Sequence, residues 1–255
     1  MKRSTILENK TLRILLAVAF WAAVWQFCAL CVGKQLLIPT PLQSLRALAD
    51  SVIHGEFWLI VLESLLRIFG GFAGGCILGI LFAVLTTRYA LCNVILTPAI
   101  RLVRAIPVAS FIILAMLWIH SSLLPAVIAA LIVLPVVWAN VAAGISQVDP
   151  QLLEMTRSYG FSSWNRLRLL YIPSVLPYFV SGAVTALGLA CKSAVTAEVL
   201  CKPNWGIGTQ VYYSKIYLET ETLFAWTVVV ILLSLFLERG MAKLLKKLPG
   251  GANCA

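Results

Sequence analysis

The stretch from Ala105 to Val148 reads AIPVASFIILAMLWIHSSLLPAVIAALIVLPVVWANVAAGISQV, and it contains no Lys, Arg, Asp or Glu. It is about twice as long as the roughly 20 apolar residues that a helix needs to cross a bilayer, so it fits two crossings rather than one. A break is expected at His120-Ser121-Ser122, whose polar side chains can face water. We therefore predict that this chain folds within a membrane.

Other uncharged runs lie on both sides of this stretch. The first, Ile14–Gly33, follows several basic residues, as a secretory signal would. It is longer than the roughly 7–15 apolar residues of a signal peptide, so we expect a retained helix. The whole pattern predicts an all-α, polytopic membrane bundle of six transmembrane helices, in a single domain over residues 1–255. The expected spans are about 14–33, 60–87, 98–119, 123–145, 169–198 and 220–240.

The composition agrees with a membrane protein. Hydrophobic residues make up 61% of the chain and charged residues only 12%, whereas soluble domains carry about 25% charged residues. The net charge of +10 could indicate nucleic-acid binding, but the basic residues form short clusters between apolar runs. Seven cysteines occur, mostly inside apolar runs; the pair Cys28 and Cys31 has no second pair to complete a metal site. No metal site is predicted.

The distribution of basic residues predicts the orientation, because Lys and Arg favour cytoplasmic segments. If the N-terminus is cytoplasmic, the inside segments hold 14 of the 20 basic residues. These are Lys2, Arg3, Lys10, Arg13, Arg88, Arg101, Arg104, Arg157, Arg166, Arg168, Arg239, Lys243, Lys246 and Lys247. Both termini are therefore predicted to be cytoplasmic.

The cytoplasmic segment 147–168 carries the clearest local signals. Asp149 is a good N-cap, and Pro150 suits the first position of a helix. A short helix is expected to follow, and Gly160 can adopt the left-handed conformation that ends it. A serine just beyond Gly160 can cap a second helix that leads into the fifth span. Such a projecting helix suits docking in a groove of a soluble partner, although a plain connecting loop is an alternative.

The same segment carries a family pattern. Glu154-Met155-Thr156, three further residues and Gly160, followed by Ile172-Pro173 and Leu176-Pro177, resemble the EAA loop of binding-protein-dependent ABC importer permeases. Met155 and Thr156 replace the two alanines of the family pattern. Other segments narrow the resemblance to the nitrate/sulfonate/taurine-type permeases. They are Leu37-Ile38-Pro39-Thr40-Pro41, Gly55-Glu56-Phe57-Trp58, Ser64-Leu65-x-Arg67, Gly71-Phe72, Ile106-Pro107, Ala197-Glu198 and Gly206-Ile207-Gly208.

The resemblance implies a MetI-like fold, an inner-membrane location and a transport function. Two permease copies, as a homodimer, would surround the pathway of a small solute: a sulfonate-, taurine- or nitrate-like anion, or a vitamin precursor. Separate cytoplasmic ABC ATPases would bind ATP and Mg²⁺, and an external solute-binding protein would deliver the solute. The residues expected to couple the permease to the ATPase are Leu153, Glu154, Arg157, Gly160, Pro173 and Pro177.

The sequence contains no Gly-x-x-x-x-Gly-Lys-Ser/Thr phosphate loop, so we expect energy to come from another chain. The chain is predicted not to be an enzyme and to hold no cofactor of its own. An ion channel or an intramembrane enzyme is the alternative function. Neither has clear support, because a channel needs a filter or a charged ring and an enzyme needs a polar constellation at membrane depth.

Three polar residues within the spans are candidates for the pathway. Lys192 could attract an anionic solute or pair with a neighbouring helix, and Glu198 could line the pathway or reach water near the end of its span. Asn140 could line the pathway or bond across helices. Separately, Gly71, Gly75 and Gly79 recur every four residues, which predicts a flat helix face for close packing within the bundle.

Overall fold

The computed structural model describes residues 10–34 and 36–246, and the regular secondary structure of these residues is helical. The helices are α1 (Lys10–Val32), α2 (Pro41–Ile53), α3 (Gly55–Arg88), α4 (Ala90–Ala105), α5 (Val108–Ala115), α6 (Leu124–Ser146), α7 (Pro150–Ser158), α8 (Ser163–Arg166), a π-helical turn (Leu167–Tyr171), α9 (Ile172–Cys201), α10 (Ile207–Ile216) and α11 (Thr220–Lys246).

Five helical segments of the described chain are long and apolar enough to cross a membrane. They are Leu15–Val32, Gly55–Arg88, Leu124–Ser146, Ser163–Cys201 and Thr220–Leu244. The pair α4 and α5 makes a sixth if the two helices count as one span. The prediction of an all-α polytopic membrane fold is thus confirmed. Lys2, Arg3 and Lys247, which contribute to the predicted orientation, lie outside the described residues, and the cytoplasmic placement of both termini stays a prediction.

The third predicted span, 98–119, is not one straight helix. The axes of α4 and α5 differ by 101° at a short break. Ile106 lies at this break in an extended conformation (φ −72°, ψ 132°), directly before Pro107. A proline disfavours the helical conformation of the residue that precedes it, and this effect explains why the helix ends here.

The Cα positions divide the chain into two compact units. One takes Leu59–Thr209 together with the described residues from Val230 onward; the other takes the described residues up to Trp58 together with Gln210–Val229. The single domain predicted from the sequence stays a prediction. Each unit has its own packing, and the candidate functional residues lie in the larger one.

The core of the larger unit lies where α3, α6 and α9 meet the second half of α11. Its buried residues are small or branched, such as Ile68, Val133 and Ala190, and Leu237 closes one side. Inside a bilayer the hydrophobic effect does not drive helices together, so packing energy comes from van der Waals contacts. Small residues allow these contacts because they let helix backbones approach closely.

The glycine stripe of α3 packs against α6. A Cβ atom at Gly75 would lie 2.6 Å from Val133 Cβ and 2.7 Å from the Ala130 carbonyl oxygen. At Gly79 it would lie 2.9 Å from the Leu134 carbonyl oxygen. The stripe therefore serves packing within the bundle, as the sequence predicted.

We expect Gly75→Ala to destabilise the fold by about 1–3 kcal/mol, because the added methyl group forces the α6 backbone to move. Gly74→Ala is the matched control, since nothing lies within 4 Å of a Cβ atom at Gly74. The control is expected to be neutral or slightly stabilising, because alanine has a higher helix propensity than glycine. The midpoint of thermal denaturation of the purified protein measures both. Equal midpoints for the two variants would contradict this packing.

The smaller unit is held by aromatic residues. Trp25 of α1 donates a hydrogen bond from Nε1 to the Pro39 carbonyl oxygen at 3.1 Å and stacks on Phe224 of α11. Phe57 stacks on Trp226, with ring centroids 5.1 Å apart. These contacts join the ends of α1, α3 and the first turns of α11 within this unit.

Candidate functional site

The start of α7 is built as its sequence predicts. Asp149 has an extended backbone, and its Oδ1 accepts a hydrogen bond from the Gln151 backbone N–H at 2.8 Å. Pro150 occupies the first turn, where its missing N–H leaves no carbonyl unpaired. The side-chain cap satisfies one of the free N–H groups of the helix end. The first turn of α7 is thus fixed by local chemistry.

The end of α7 is a Schellman motif. Gly160 has φ +65°, its N–H donates to the Arg157 carbonyl at 3.0 Å, and the Phe161 N–H donates to the Thr156 carbonyl at 2.9 Å. Glycine adopts this left-handed conformation without a steric penalty. Ser162 then caps α8, accepting a hydrogen bond from the Asn165 N–H at 3.2 Å. The chain therefore turns sharply between two short helices.

One face of α7 exposes apolar side chains. Leu152, Met155 and Tyr159 follow a spacing of three and four residues, and Tyr159 is 75% exposed. Glu154 and Arg157 are also exposed, whereas Leu153 is half-buried and Thr156 is buried. We call Leu152, Met155 and Tyr159 the apolar face of α7. An exposed apolar face with charges beside it is typical of a protein-binding surface.

Pro173 and Pro177 lie beyond α7, at the start of α9. Pro173 is in the first turn of α9 and Pro177 is within the helix, where its ring removes one backbone hydrogen bond. The preceding π-helical turn, Leu167–Tyr171, is the kind of local widening found beside such interruptions. These two prolines shape the entry into the span rather than the exposed face of α7.

Glu198 lies in a buried cluster. Its side chain is 0% exposed, and its carboxylate accepts hydrogen bonds from Ser64 Oγ at 2.9 Å, the Gly208 N–H at 3.0 Å and Arg67 Nη1 at 3.2 Å. The interpretation that Glu198 reaches water is therefore wrong. A buried carboxylate needs paired charge and several donors, and this one has both.

The partners of Glu198 form further hydrogen bonds with backbone groups. Ser64 Oγ accepts a hydrogen bond from the Ile207 N–H at 2.9 Å. Arg67 donates to the Ser122 carbonyl at 3.1 Å and to the Trp205 carbonyl, and its side chain is only 11% exposed. A Cβ atom at Gly208 would lie 2.6 Å from Glu198 Cβ, so the chain can approach the carboxylate only with glycine there. We call Ser64, Arg67, Glu198 and the Gly208 amide the Glu198 cluster.

Lys192 is exposed on α9, and it forms no ion pair with another residue of the described chain. It belongs to an exposed stripe whose members are spaced by three or four residues along the helix. The stripe consists of Tyr178, Ser181, Thr185, Leu189, Lys192 and Thr196. We call it the α9 stripe. The pairing with a neighbouring helix that was expected as an alternative is not observed within residues 10–34 and 36–246.

Asn140 lies on α6 against α9. Its Nδ2 donates to the Val136 carbonyl at 2.8 Å, and a Cβ atom at Gly182 would lie 2.8 Å from Asn140 Cβ. The side chain therefore packs on the glycine and is bonded within its own helix. A role of Asn140 in the pathway stays a prediction.

Residues 75–248 match the model of the family described as "Binding-protein-dependent transport system inner membrane component". This match covers more than half of the chain. The chain belongs to this family. It is a multi-pass inner-membrane permease subunit of an ABC importer, so the predicted transport function and location are confirmed. Membership also implies ATPase and solute-binding-protein partners.

Individual relatives resemble nearly the whole permease. This chain is 25% identical to the taurine transport system permease protein TauC of Escherichia coli, over 97% of this chain and 90% of the relative. It is 26% identical to the riboflavin transport system permease protein RibX of Chloroflexus aurantiacus, over 89% and 85%. A crystal structure of an amino acid ABC transporter with histidines has the same fold, with a TM-score of 0.61 and 17% identity over 74% of this chain and 94% of that one.

Sequence reasoning singled out Glu198 in this permease and missed its partners. The sequence marks Ser64 and Arg67 only by their resemblance to a family motif. Their spacing of three residues places both side chains on one face of a helix, and this was an available signal. The partner of that face could not be read from the sequence.

Proposed function

We propose that this permease moves its solute along the α9 stripe and is driven by a separate ATPase that docks on α7. The observation that carries the docking proposal is the apolar face of α7, held between an N-cap and a Schellman motif. Because both ends of α7 are fixed by hydrogen bonds, α7 can move as one rigid unit when the ATPase moves. The coupling residues Glu154, Arg157 and Gly160 belong to this element, and Leu153 anchors it by its half-buried side chain.

The ATPase binds ATP and Mg²⁺ and supplies the energy for transport. Closing of two ATPases on ATP presses on α7, and α7 passes the movement through the turn at Gly160 to α8 and α9. Pro173 and Pro177 weaken the backbone hydrogen bonding at the start of α9, where a change of direction is least costly. This permease is therefore a transport component and not an enzyme.

The α9 stripe supports a pathway between two copies of the permease. Hydroxyl groups and an amine along a span are costly against lipid, and they are typical of a face that lines a water-filled route. Because the stripe is exposed in one chain, a second copy, in a homodimer, completes the route around it. Lys192 provides the positive charge in this route.

The solute is a small anion or a vitamin precursor. Lys192 favours a sulfonate-, taurine- or nitrate-like anion, and the name of the relative TauC points to taurine. The relative RibX, named for riboflavin transport, keeps a vitamin precursor among the candidates. The external binding protein sets most of the specificity, since it selects the solute before delivering it to the permease.

We expect Lys192→Gln to reduce ATP-dependent uptake of an anionic solute by about tenfold, because the variant lacks the positive charge that attracts the anion. A tenfold change corresponds to about 1.4 kcal/mol. Lys192→Arg is expected to retain most of the uptake. The complex with its ATPase and binding protein, reconstituted in proteoliposomes, is tested with nitrate, taurine and riboflavin. Lys243→Gln, also at an exposed lysine, is the control.

Unchanged uptake in Lys192→Gln would contradict the role of the α9 stripe. Uptake that proceeds without ATP would instead support a channel. Loss of uptake in Lys243→Gln as well would show that the effect follows overall charge rather than the position of Lys192.

A further inference from the structure

A groove of about 760 Å³ lies in the larger unit, apart from the Glu198 cluster. It is bounded by the last turns of α3, the second half of α6 and the segment from α8 to the start of α9. One end holds the side chains of Arg88 and Arg166. Thr87 and Ser163 lie close to the arginines in sequence, and Tyr171 follows further along. The other lining side chains are apolar, among them Val84, Ile145, Leu176 and Phe179. The groove is therefore cationic at one end and mostly apolar along its length.

The cationic end has unused hydrogen-bonding capacity. Neither Arg88 nor Arg166 forms an ion pair with another described residue, and the lining of the groove contains no carboxylate. Nε of Arg166 is buried and finds no acceptor among the described residues. Burying a charged donor without an acceptor is unfavourable, so this end is suited to an anionic ligand. The planar guanidinium group matches the oxygens of a phosphate group.

The groove does not share a face with the α9 stripe. Counting 100° for each residue, the groove residues of α9 (Ile172, Val175, Leu176 and Phe179) lie on average about 130° from the stripe. If the stripe lines the pathway, the groove faces another direction. Its ligand is therefore not the transported solute.

The position of the groove indicates which anion it takes. Arg88 is the last residue of the membrane-spanning segment Gly55–Arg88, and Arg166 lies in the first turn of the segment Ser163–Cys201, so both lie at the boundary of the apolar layer. The apolar part continues along the helices into that layer. A free phosphate ion uses only the cationic end, whereas a phospholipid fills both parts. Basic pockets between helices on the cytoplasmic side are typical sites for anionic lipid headgroups.

We propose that this groove binds one anionic phospholipid, with its phosphate on Arg88 and Arg166 and an acyl chain against Val84, Leu176 and Phe179. The placement in the cytoplasmic leaflet rests on the orientation used in the proposed function. The lipid ties the end of α3 to the segment between α7 and α9, so it stabilises the part of the chain that transmits movement from the ATPase.

Native mass spectrometry of the full permease complex, released from nanodiscs of phosphatidylcholine with phosphatidylglycerol, tests the proposal. We expect one phosphatidylglycerol for each permease copy to persist at activation energies that remove other lipids. Arg88→Gln with Arg166→Gln is expected to reduce its retention by about tenfold, because charge-assisted contacts to phosphate are lost. Arg168→Gln is the matched control, since Arg168 is exposed, lies two residues from Arg166 and does not line the groove.

A second variant separates a lipid from free phosphate. Val84→Trp places a large ring in the apolar part and leaves both arginines intact; it is expected to displace the lipid. Phosphatidylglycerol should also raise the midpoint of thermal denaturation of the wild type and not of the double variant. Equal lipid retention in the wild type and the double variant would overturn the proposal. Equal loss in Arg168→Gln would overturn it too, because it would show diffuse attraction.

Retention that survives Val84→Trp, with competition by millimolar inorganic phosphate, would show a phosphate site and overturn the lipid assignment. None of these measurements requires transport. Failure of the lipid proposal and failure of the proposed function are therefore distinguishable.

Discussion

Glu198→Ala is expected to lower the free energy of unfolding of the permease by about 3–5 kcal/mol. Removing one member of a buried ion pair is among the most destabilising single substitutions. Arg67 would keep only the partly exposed carboxylate of Glu63 as an ionic partner. Here the variant would also leave Ser64 Oγ and the Gly208 N–H without their acceptor. The midpoint of thermal denaturation of the purified protein is measured, with the loss of the monodisperse peak in size-exclusion chromatography as the signal.

The chain provides a matched control, because Arg67 pairs with two carboxylates. Its Nη2 lies 3.4 Å from Glu63 Oε2, and the Glu63 side chain is 46% exposed. An exposed pair contributes about 0–1 kcal/mol, so Glu63→Ala should change the midpoint little. If Glu63→Ala and Glu198→Ala shift the midpoint equally, the Glu198 cluster is not the anchor that its geometry indicates.

The second large effect is expected at α7. Met155→Asp should reduce the amount of ATPase that copurifies with the tagged permease by about thirtyfold or more, since a central side chain of an interface contributes about 2 kcal/mol or more. Met155 is exposed, so the permease itself should fold and insert normally. Gly160→Val should act in the same direction, because a β-branched residue is strained at φ +65° and would misplace α7.

Ser158→Asp is the control for Met155→Asp. It adds the same charge to the same helix, about 90° from the centre of the apolar face. Its copurification should remain close to that of the wild type. If both aspartate variants lose the ATPase equally, the charge of the segment matters and the apolar face does not. If neither loses it, the ATPase docks elsewhere.

The local elements of this protein could be predicted because their causes are local. Continuous apolar runs specify membrane helices, and the Asp149-Pro150 pair and Gly160 specify the two ends of α7. The bend at Ile106-Pro107 also has a local cause, because a proline disfavours a helical conformation of the residue before it. A span count based on charge alone therefore predicts a straight helix where the structure has a bent pair.

The Glu198 cluster could not be predicted, because its members are far apart in the chain. Ser64 and Glu198 are separated by 134 residues, and no periodicity relates them. Their meeting depends on how α3, α9 and the segment around Gly208 pack. For the same reason the sequence could not decide whether Lys192 is paired or exposed. A lysine within an apolar run can be in either environment, and only the packing of neighbouring helices distinguishes the two.

Photocrosslinking from α7 in native membranes tests the central claim, that this permease receives its driving force through α7. Benzoylphenylalanine is placed at Tyr159, the most exposed member of the apolar face of α7, and at Tyr178 in the α9 stripe as the reference position. The account predicts a covalent adduct with the ATP-binding subunit from position 159 and none from position 178. The absence of that adduct at 159, or an equal adduct from both positions, would contradict it.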